Sequence, residues 1–378
     1  MTMQVIEVRE VAGKAEMKTF IRLPGRIMAG DPNWIEPLHF ERAQFFSPKS
    51  NRWFDHGEAA FFIAWRGGRA VGRISAQVDR LSPKVDGRVC GLFGALAAEE
   101  DQAIVSALVA AAEGWLRGRG AGWMRGPYTL NINHEAGLLV DGFDSPPFLL
   151  MPHDAPWLGP MVEATGLARA RDAFAYRLDT TDGLPERPKR LFRNAPERLR
   201  TRPVDLGRWA EEVALIARIF NESWKNNWGF VPFTEGEIDA MAKEMRPLID
   251  PGLSRIAELD GEPVGFIILL PDVNEAIRDF RGRLFPLNVL RLLWRLRYGR
   301  IRGARVPLMG MMPGLDGIVG SIAPLMLIYS PEPRYRERGF TELEFSWILE
   351  DNLPVRKMIE MLGARIAKTY RFYERPLD

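Results

Sequence analysis

The chain contains the same sequence pattern twice, and this duplication limits the folds that it can adopt. Ile256 repeats a pattern that begins at Ile63, 193 residues earlier, and Met358 repeats one that begins at Met161, 197 residues earlier. A repeat this long indicates a duplicated domain, because solenoid repeats are about 20–50 residues long. The repeated positions are Ile63-Ala64, Gly68, Val71-Gly72, Ile74 and Asp79 with Ile256-Ala257, Gly261, Val264-Gly265, Ile267 and Asp272, and then Met161-Val162-Glu163, Gly166, Ala170 and Tyr176 with Met358-Ile359-Glu360, Gly363, Ala367 and Tyr373.

Length and composition agree with two ordinary globular domains. The 378 residues allow two domains of roughly 100–200 residues, each large enough to bury its own core. A net charge of +2 gives no whole-chain argument for nucleic acid binding. Cys90 is the only cysteine, so no intramolecular disulfide can form, which favours a reducing compartment. No apolar run reaches the ~20 residues of a membrane span, and the first residues lack a signal-peptide core, so we expect a cytoplasmic protein.

Each copy of the repeat opens with a predicted β-hairpin and ends with a helix and an aromatic strand. Gly67-Gly68 and Asp260-Gly261 separate pairs of apolar strands, which is typical of hairpin turns. Gly166 and Gly363 close the final helices. The order predicts a mixed α/β unit. Its predicted elements are the hairpins Phe61–Trp65 with Ala70–Val78 and Ser254–Leu259 with Pro263–Leu270, the strand Cys90–Leu96, the helix Asp101–Arg117, the strand Trp123–Gly126, the helices Trp157–Ala164 and Pro354–Leu362, and the final strands Ala173–Leu178 and Ile366–Tyr373.

The domain boundary is predicted where periodicity is lost. Residues 180–190 combine Asp, Gly, Pro and charged side chains without a helix or strand pattern. We therefore predict an N-terminal domain over residues 1–179, a linker over 180–190 and a C-terminal domain over 191–378. A helix from Leu206 to Asn221 is expected to open the second domain.

The order of hairpin, strand, helix, strand, helix and strand resembles the GNAT (GCN5-related) N-acyltransferase fold. The resemblance covers nearly the whole chain and predicts two GNAT-like domains in tandem, each α/β with a mixed sheet. Several short sequence segments also resemble those of the group that contains the bacterial ceramide synthases. They are Asp31-Pro32-Asn33-Trp34, Arg125-Gly126-Pro127, Asn131-Ile132-Asn133, Gly137-Leu138-Leu139-Val140-Asp141-Gly142-Phe143-Asp144, Asn226-Asn227-Trp228-Gly229-Phe230-Val231-Pro232 and Ser346-Trp347-Ile348-Leu349-Glu350-Asp351-Asn352.

This resemblance implies an enzyme that joins a fatty acyl chain to the amine of a sphingoid base. The donor would be an acyl thioester, either acyl-CoA or acyl carrier protein, and the amine would attack it directly. A serine acyl-enzyme is not expected, because the chain has no Gly-x-Ser-x-Gly motif. No Cys/His cluster with metal-ligand spacing is present, so no metal is expected either.

The glycine-rich stretch of the second half departs from the GNAT pattern. GNAT domains hold the CoA pyrophosphate with Arg/Gln-x-x-Gly-x-Gly/Ala before a helix N-terminus. Here the basic lead residue is missing, and Asp316 would repel phosphate. The stretch is either an altered donor loop or an ordinary glycine turn, and CoA is either bound differently or is not the donor. The candidate donor-binding residues are Gly310, Met311, Met312, Gly314, Gly317, Gly320 and Asn352.

The densest polar cluster of the first half is a candidate catalytic site. Asn131, Asn133, His134 and Glu135 place four polar groups within five residues, directly after a predicted strand. Amide formation needs a group that takes the proton of the amine, and His134 or Glu135 is our first choice for this base. The alternative is a polar turn with local hydrogen bonds. His153-Asp154 lies between prolines, and we interpret it as a structural loop.

The second half supplies further candidates. Asp351 and Asn352 follow a predicted strand, where ligands often bind, although either residue also suits a helix N-cap. Tyr370 or Tyr373 is a candidate acid for the leaving thiol, a role that GNAT tyrosines often hold. Asn226-Asn227-Trp228-Gly229-Phe230 combines amides with aromatic side chains in a predicted loop, which suits the lining of an acceptor pocket. The alternative is a packed turn. The candidate substrate-binding residues are Asn131, Asn227, Trp228, Phe230 and Trp347.

A basic apolar segment over residues 278–305 is an insertion that a GNAT domain does not need. It holds nine arginines and one acid, interleaved with leucines, Phe285 and Trp294. A helix that starts near Pro286 places Leu290, Leu293, Trp294 and Arg297 on one face. Such a basic amphipathic helix is typical of a peripheral element attracted to an anionic membrane surface, here over residues 283–302. Packing against a domain is the alternative, and nucleic acid binding is disfavoured because the leucines have no role there.

The sequence thus predicts an N-acyltransferase at the inner face of the cytoplasmic membrane that acylates a sphingoid base. One alternative is a soluble acetyltransferase that acts on a small amine. The other is a non-catalytic lipid-binding or scaffold protein, which the altered glycine-rich stretch would favour.

Overall fold

The computed structural model describes residues 5–193 and 195–377, which form two compact units. The first unit contains residues up to 173, together with 277–290 and the C-terminal segment from 368. The second contains residues 174–276 and 291–367. The ends of the predicted domains at residues 1–4 and 378, and residue 194 within the second, lie outside the described residues.

The first unit is a mixed sheet with helices packed on it. Strands β1, β2, β3 and β4 pair antiparallel in sequence order, and β4 pairs parallel with β5. The C-terminal strand β13 then pairs antiparallel with β5 and with β6. The elements are β1 (Ile6–Glu10), α1 (Gly13–Ile27), α2 (His39–Phe45), β2 (Gly57–Arg66), β3 (Arg69–Asp79), β4 (Cys90–Ala98), α3 (Gln102–Arg117), β5 (Trp123–Gly126), β6 (Leu138–Asp141), α4 (Leu158–Glu163), the start of β7 (Ala168–Asp179) and most of β13 (Arg365–Pro376).

The second unit repeats this arrangement. Strands β8, β9, β10 and β11 pair antiparallel in sequence order, β11 pairs parallel with β12, and β12 neighbours β7. The elements are the end of β7, α5 (Glu186–Arg193), β8 (Leu199–Pro203), α6 (Trp209–Trp224), α7 (Glu235–Met245), β9 (Arg255–Leu259), β10 (Glu262–Pro271), α8 (Val273–Ile277), α9 (Asn288–Tyr298), β11 (Gly303–Met311), α10 (Gly317–Tyr329), α11 (Glu332–Arg338), β12 (Glu342–Leu349), α12 (Leu353–Met361) and the first residues of β13.

The final strands of the two repeats are exchanged between the units. Tyr176 ends the first copy, yet it belongs to the second unit, where its hydroxyl donates to Glu360 at 2.6 Å. Tyr373 ends the second copy, yet it belongs to the first unit, where its hydroxyl donates to Glu163 at 3.2 Å. The compact units and the sequence repeats are therefore different segments, and the division at residues 180–190 stays a prediction. Part of that predicted linker forms helix α5.

The predicted hairpins, strands and helices are all present in the structure, with ends that shift by a few residues. Each unit has its own apolar core. In the first unit α3 buries Ile104, Val105 and Leu108 against the sheet, and Asp101 caps its first turn by accepting the amide of Ala103 at 2.8 Å. In the second unit Ile267 and Leu343 lie in the main cluster. Among the helices of residues 5–193 and 195–377, none is both long and apolar enough to cross a membrane.

Candidate active site

A buried carboxylate at the end of β3 organises the polar cluster of the first unit. Asp79 accepts hydrogen bonds from the indole of Trp53 at 3.0 Å and from the ring of His56 at 2.9 Å. The side-chain amide of Asn131 donates to it at 2.9 Å, and so does the backbone of Leu81. The Asp79 side chain is fully buried, so these donors replace the water that it loses on folding.

The loop after β5 presents His134 next to this carboxylate. Backbone hydrogen bonds hold the loop in place, from Tyr128 to Phe93 at 2.7 Å and from Thr129 to Glu135 at 2.8 Å. The Nδ1 atom of His134 lies 2.9 Å from Oδ1 of Asn131. Burial lowers the pKa of His134 to about 4, against the opposing effect of Glu135, so the imidazole is neutral at physiological pH.

Charged side chains surround this imidazole. Glu135 forms an ion pair with Arg42 at 2.7 Å, so its carboxylate is already engaged. Arg73 donates to the backbone oxygen of Phe20 at 2.6 Å, and burial lowers the pKa of its guanidinium to about 9. The predicted cluster is therefore part of a larger group that includes Arg42 and Arg73, which the sequence analysis did not identify.

Asp154 is a further titratable group of this cluster. The backbone amide of Leu139 donates to its Oδ2 at 2.8 Å. Burial raises the pKa of Asp154 to about 7, with Glu135 adding to the effect and the hydrogen bond opposing it. The neighbouring His153 instead pairs with Asp31 at 2.8 Å. His153 and Asp154 thus have different partners, and the interpretation of this pair as a structural loop stays a prediction.

The loop that carries Asp154 is held by side chains from distant parts of the sequence. The buried ammonium of Lys368 donates to the backbone oxygens of Gly142 and Ser145, the latter at 2.7 Å. Asn33 donates to the backbone oxygen of Phe143 at 3.0 Å. Two of the sequence segments that carry the family resemblance, around residues 31–34 and 137–144, thus meet at this loop.

In the second unit the parallel strands β11 and β12 separate along their length. They pair only from Gly303–Val306 with Glu342–Phe345, although both strands continue further. The indole rings of Trp224 and Trp347 lie 6.1 Å apart, edge to face, and Trp224 donates to the backbone oxygen of Met309 at 3.4 Å. The separated strand ends are therefore lined by large apolar groups, among them the predicted substrate-binding residue Trp347.

The predicted donor loop lies after β11, and its backbone groups are partly occupied. Gly310 and Met311 pair with β10, and the amide of Met312 donates to the backbone oxygen of Val264 at 2.7 Å. Asp316 caps α10, since its carboxylate accepts the amide of Val319 at 2.8 Å. It also pairs with Arg198 at 3.3 Å. Gly314 adopts a left-handed backbone conformation, and Gly317 and Gly320 lie in the first turn of α10. The helix N-terminus thus already holds a carboxylate where a phosphate would bind.

The other predicted residues are distributed over both units. Asp351 is exposed, and Asn352 starts α12 without a capping hydrogen bond from its side chain. Asn227, Trp228 and Phe230 follow α6 and are partly exposed, and Phe230 packs near Phe220. Within the first unit Tyr370 and Tyr373 are fully buried, and burial raises the pKa of Tyr373. Asn131 is fully buried as well, and Asn133 donates its backbone amide to the Asn131 side chain at 3.0 Å.

Helix α9 presents an apolar face to solvent. Leu290, Leu293 and Trp294 are 66%, 58% and 61% exposed. Arg291 and Arg297 are exposed on the same helix. Not every arginine of residues 278–305 contributes to this surface, because Arg305 is buried in β11 and donates to Ser346 at 2.8 Å. Arg295 donates to the backbone oxygen of Ala276 at 2.6 Å.

Comparison with known proteins identifies the family. The chain is 44% identical over 375 residues to the bacterial ceramide synthase of Caulobacter vibrioides, with 98% of each chain covered. The chain belongs to this family. It is also 40% identical over 373 residues to protein YghO of Escherichia coli, which covers 98% of this chain and 95% of that protein. No protein-family model matches the sequence.

Solved structures agree on the fold of this family member. A tandem GNAT protein from the clavulanic acid biosynthesis pathway superposes with a TM-score of 0.58 at 14% identity, covering 99% of both chains. A GCN5-related N-acetyltransferase from Sphaerobacter thermophilus gives a TM-score of 0.57 at 13% identity, covering 98% of this chain and 96% of that chain. The predictions of a GNAT-like α/β fold and of an N-acyltransferase are confirmed.

Proposed function

We propose that this enzyme transfers a fatty acyl group from an acyl thioester to the amine of a sphingoid base and works at an anionic membrane surface. The observation that carries the proposal is the exposed apolar face of α9 in a protein of the ceramide synthase family. Leucine and tryptophan side chains that are more than half exposed are costly in water and are stabilised in a lipid interface. An acetyltransferase that acts on a small amine has no use for such a face.

The charge of this helix selects the kind of membrane. Arg291 and Arg297 lie on α9, and the exposed Arg300 follows it. Each arginine near an anionic lipid surface contributes about 1 kcal/mol to binding. Binding should therefore depend on anionic lipid and weaken at high salt. A sphingoid base dissolves in the bilayer, so the helix would hold the enzyme where its acceptor is concentrated.

The polar cluster of the first unit suits the proton transfers of the reaction. The amine nitrogen attacks the thioester carbon, the C–N bond forms, and the C–S bond then breaks. The amine loses a proton to a base, and the thiolate gains one. A neutral His134 can accept the proton, whereas Glu135 is held in its ion pair with Arg42. Asp154, with a pKa of about 7, suits the acid.

We assign the acyl part of the donor to the opening between β11 and β12. Its apolar lining by Trp224 and Trp347 suits an acyl chain. The fit is poorer for the phosphates of CoA, because Asp316 occupies the N-terminus of α10. Acyl-CoA and acyl carrier protein are therefore both tested as donors.

The test is an amide-forming assay with purified full-length protein, read by mass spectrometry. Long-chain acyl-CoA or acyl carrier protein is combined with a sphingoid base, presented either in detergent or in vesicles that contain anionic lipid. An Arg291→Glu/Arg297→Glu double variant reverses the charge of α9, and Arg218→Glu in α6 is the matched control. We expect a ceramide-mass product that the double variant loses on vesicles only. If no long-chain donor gives product, the acetyltransferase or scaffold alternative is favoured instead.

A further inference from the structure

We infer that Asp79 and Asn131 form a hydrogen-bonded relay that fixes the proton of His134 on Nδ1 and leaves Nε2 as its basic nitrogen. Asp79 and Asn131 are thus positioning residues, and His134 is the group that exchanges a proton with substrate. The relay consists of two side-chain hydrogen bonds, Asn131 to Asp79 at 2.9 Å and His134 to Asn131 at 2.9 Å.

The orientation of the Asn131 amide follows from its backbone partner. Its Oδ1 receives the backbone N–H of Asn133 at 3.0 Å, and a backbone N–H can only donate. Its Nδ2 faces Oδ2 of Asp79, a carboxylate that can only accept when ionised. If Oδ1 and Nδ2 of Asn131 were exchanged, its NH₂ group would face the N–H of Asn133 and its oxygen would face the carboxylate of Asp79. The amide therefore has one satisfactory orientation.

The tautomer of His134 follows from that orientation. Because Oδ1 of Asn131 accepts, Nδ1 of His134 must carry the hydrogen that it donates. In a neutral ring the other nitrogen, Nε2, then has the lone pair. No hydrogen bond of Nε2 occurs within the part of the chain that the structure describes. The ring of Phe45 lies 5.0 Å from the imidazole, edge to face, and further restricts its rotation.

The amide of Asn131 keeps the carboxylate of Asp79 out of direct contact with the histidine. A carboxylate in direct contact with a histidine stabilises the imidazolium and raises its pKa. Here Asn131 separates the two, so Asp79 orients the ring without holding a second proton on it. The pKa of about 4 agrees with this arrangement, as burial outweighs the nearby carboxylates. An unprotonated Nε2 has the lone pair that can accept a proton from the attacking amine.

The duplicated sequence provides an internal comparison. Asp272 occupies the position of Asp79 in the second copy of the repeat. Its carboxylate accepts the backbone amide of Asn274 at 3.2 Å, at the turn that starts α8. Asp79 accepts the backbone amide of Leu81 in the same way, so both aspartates cap a turn, and Asp79 also anchors the asparagine–histidine pair.

The first test reads the tautomer directly in the unmodified protein. Nitrogen NMR of the imidazole rings shows which nitrogen carries the proton, and His134→Gln identifies the His134 signals among four histidines. We expect protonated Nδ1 and unprotonated Nε2 at neutral pH. A ring protonated on Nε2 would overturn the inference, and this readout does not depend on any acyltransferase activity.

The second test is kinetic and rests on the proposed function. Asn131→Ala removes the acceptor of Nδ1–H, and Gln102→Ala removes a side-chain amide that bonds Ser106 and the backbone oxygen of Met161, outside the cluster. We expect Asn131→Ala to lower kcat on the order of 10²-fold with little change in KM, and to alter the His134 tautomer. Gln102→Ala should change neither kcat nor the tautomer. An unchanged kcat in a folded Asn131→Ala protein would refute the relay, whereas an inactive wild-type protein would refute the proposed function.

Discussion

In the first unit the chain stays close to β4 beyond the paired residues of β4 and β5, whereas in the second unit β11 and β12 separate. After its last paired residue in β5, the chain remains bound to β4 through the amide of Tyr128 and the backbone oxygen of Phe93 at 2.7 Å. Gly94 permits this approach, because a Cβ there would overlap the Tyr128 carbonyl. In the second unit, pairing ends at Val306, and indole rings line the strand ends.

The difference shows that the two copies present different groups where their equivalent strands end. The closed strand pair leads into the loop that holds His134 next to a buried carboxylate, which suits proton transfer. Beyond the paired residues of β11 and β12, the indole rings of Trp224 and Trp347 form an apolar surface, which suits an acyl chain. The two copies therefore keep the same strand order, while different side chains lie where the equivalent strands end.

The largest expected effect is on kcat, and it concerns His134 in the first unit. Replacing His134 with Gln removes the base, and we expect kcat to fall about 10²–10⁴-fold with small changes in KM. His39→Gln is the matched control, since His39 pairs with Glu36 at 2.6 Å outside the cluster. The kcat and KM of both variants are measured in steady-state assays with one acyl donor, with mass spectrometry as the readout. Equal activity of the two variants would remove His134 from the mechanism.

Gly94→Ala tests whether the close contact between β4 and the following loop is required. The added Cβ would overlap the carbonyl of Tyr128, so we expect a loss of about 1–3 kcal/mol in the free energy of unfolding. Gly114→Ala is the control, because a Cβ there meets nothing within 4 Å on helix α3. It should be neutral or stabilise the protein by up to ~1 kcal/mol. Denaturant titration compares them, and a harmless Gly94→Ala would mean that the strand pair is not closed as described.

Trp347→Ala tests the apolar half of the comparison. Removing a large apolar contact costs roughly 1.5–3 kcal/mol of binding, so we expect KM for long-chain donors to rise about 10-fold or more. Short-chain donors should be affected little. Trp115→Ala in α3 is the control, since that ring packs under Arg119 in the first unit. A uniform loss over all chain lengths would argue that Trp347 supports the fold and does not contact the acyl chain.

The smallest expected effect is on the pH dependence of stability, and it concerns Asp154. Its folded pKa of about 7 lies above the ordinary value near 4, so the folded protein holds a proton that the unfolded chain releases. The stabilisation of the folded protein by this proton is fully present below about pH 4 and is lost as pH rises to about 7. Asp154→Asn should therefore narrow the difference in Tm between pH 5 and pH 8.

Asp101→Asn is the control for that experiment. A hydrogen bond from Arg66 lowers the pKa of Asp101. The stabilisation that ionised Asp101 gives to the folded protein is therefore lost only at acid pH. Asparagine also caps a helix well. The Tm difference between pH 5 and pH 8 should be unchanged in this variant. Identical behaviour of the two variants would show that Asp154 is ionised throughout this range.

Much of the fold could be predicted from the sequence because local signals are strong. Gly67-Gly68 and Asp260-Gly261 indicate hairpins through turn chemistry, and Asp101 marks the start of α3 through its capping side chain. The exchange of final strands could not be predicted. Glu163 and Glu360 are equivalent in the repeat, as are Tyr176 and Tyr373, so the sequence does not determine which tyrosine meets which glutamate.

The site was only partly predictable for a related reason. His134 and Glu135 attract notice because polar residues cluster in sequence, and in the structure the side chains of Asn131 and His134 are hydrogen-bonded. Asp79 and Asp154 come from other parts of the chain, and only folding brings them to the loop. Asp79 was visible as a repeated position, but its role depends on burial, which a pattern of matching residues does not report.

The central claim is that His134 accepts the proton of the amine and that Trp347 contacts the acyl chain. The most direct measurement compares wild type, His134→Gln and Trp347→Ala over one series of acyl donors of increasing chain length. Our account predicts that His134→Gln lowers kcat by the same factor at every length, whereas Trp347→Ala lowers kcat/KM only for long chains. If both variants show the same dependence on chain length, the separate roles of His134 and Trp347 are contradicted.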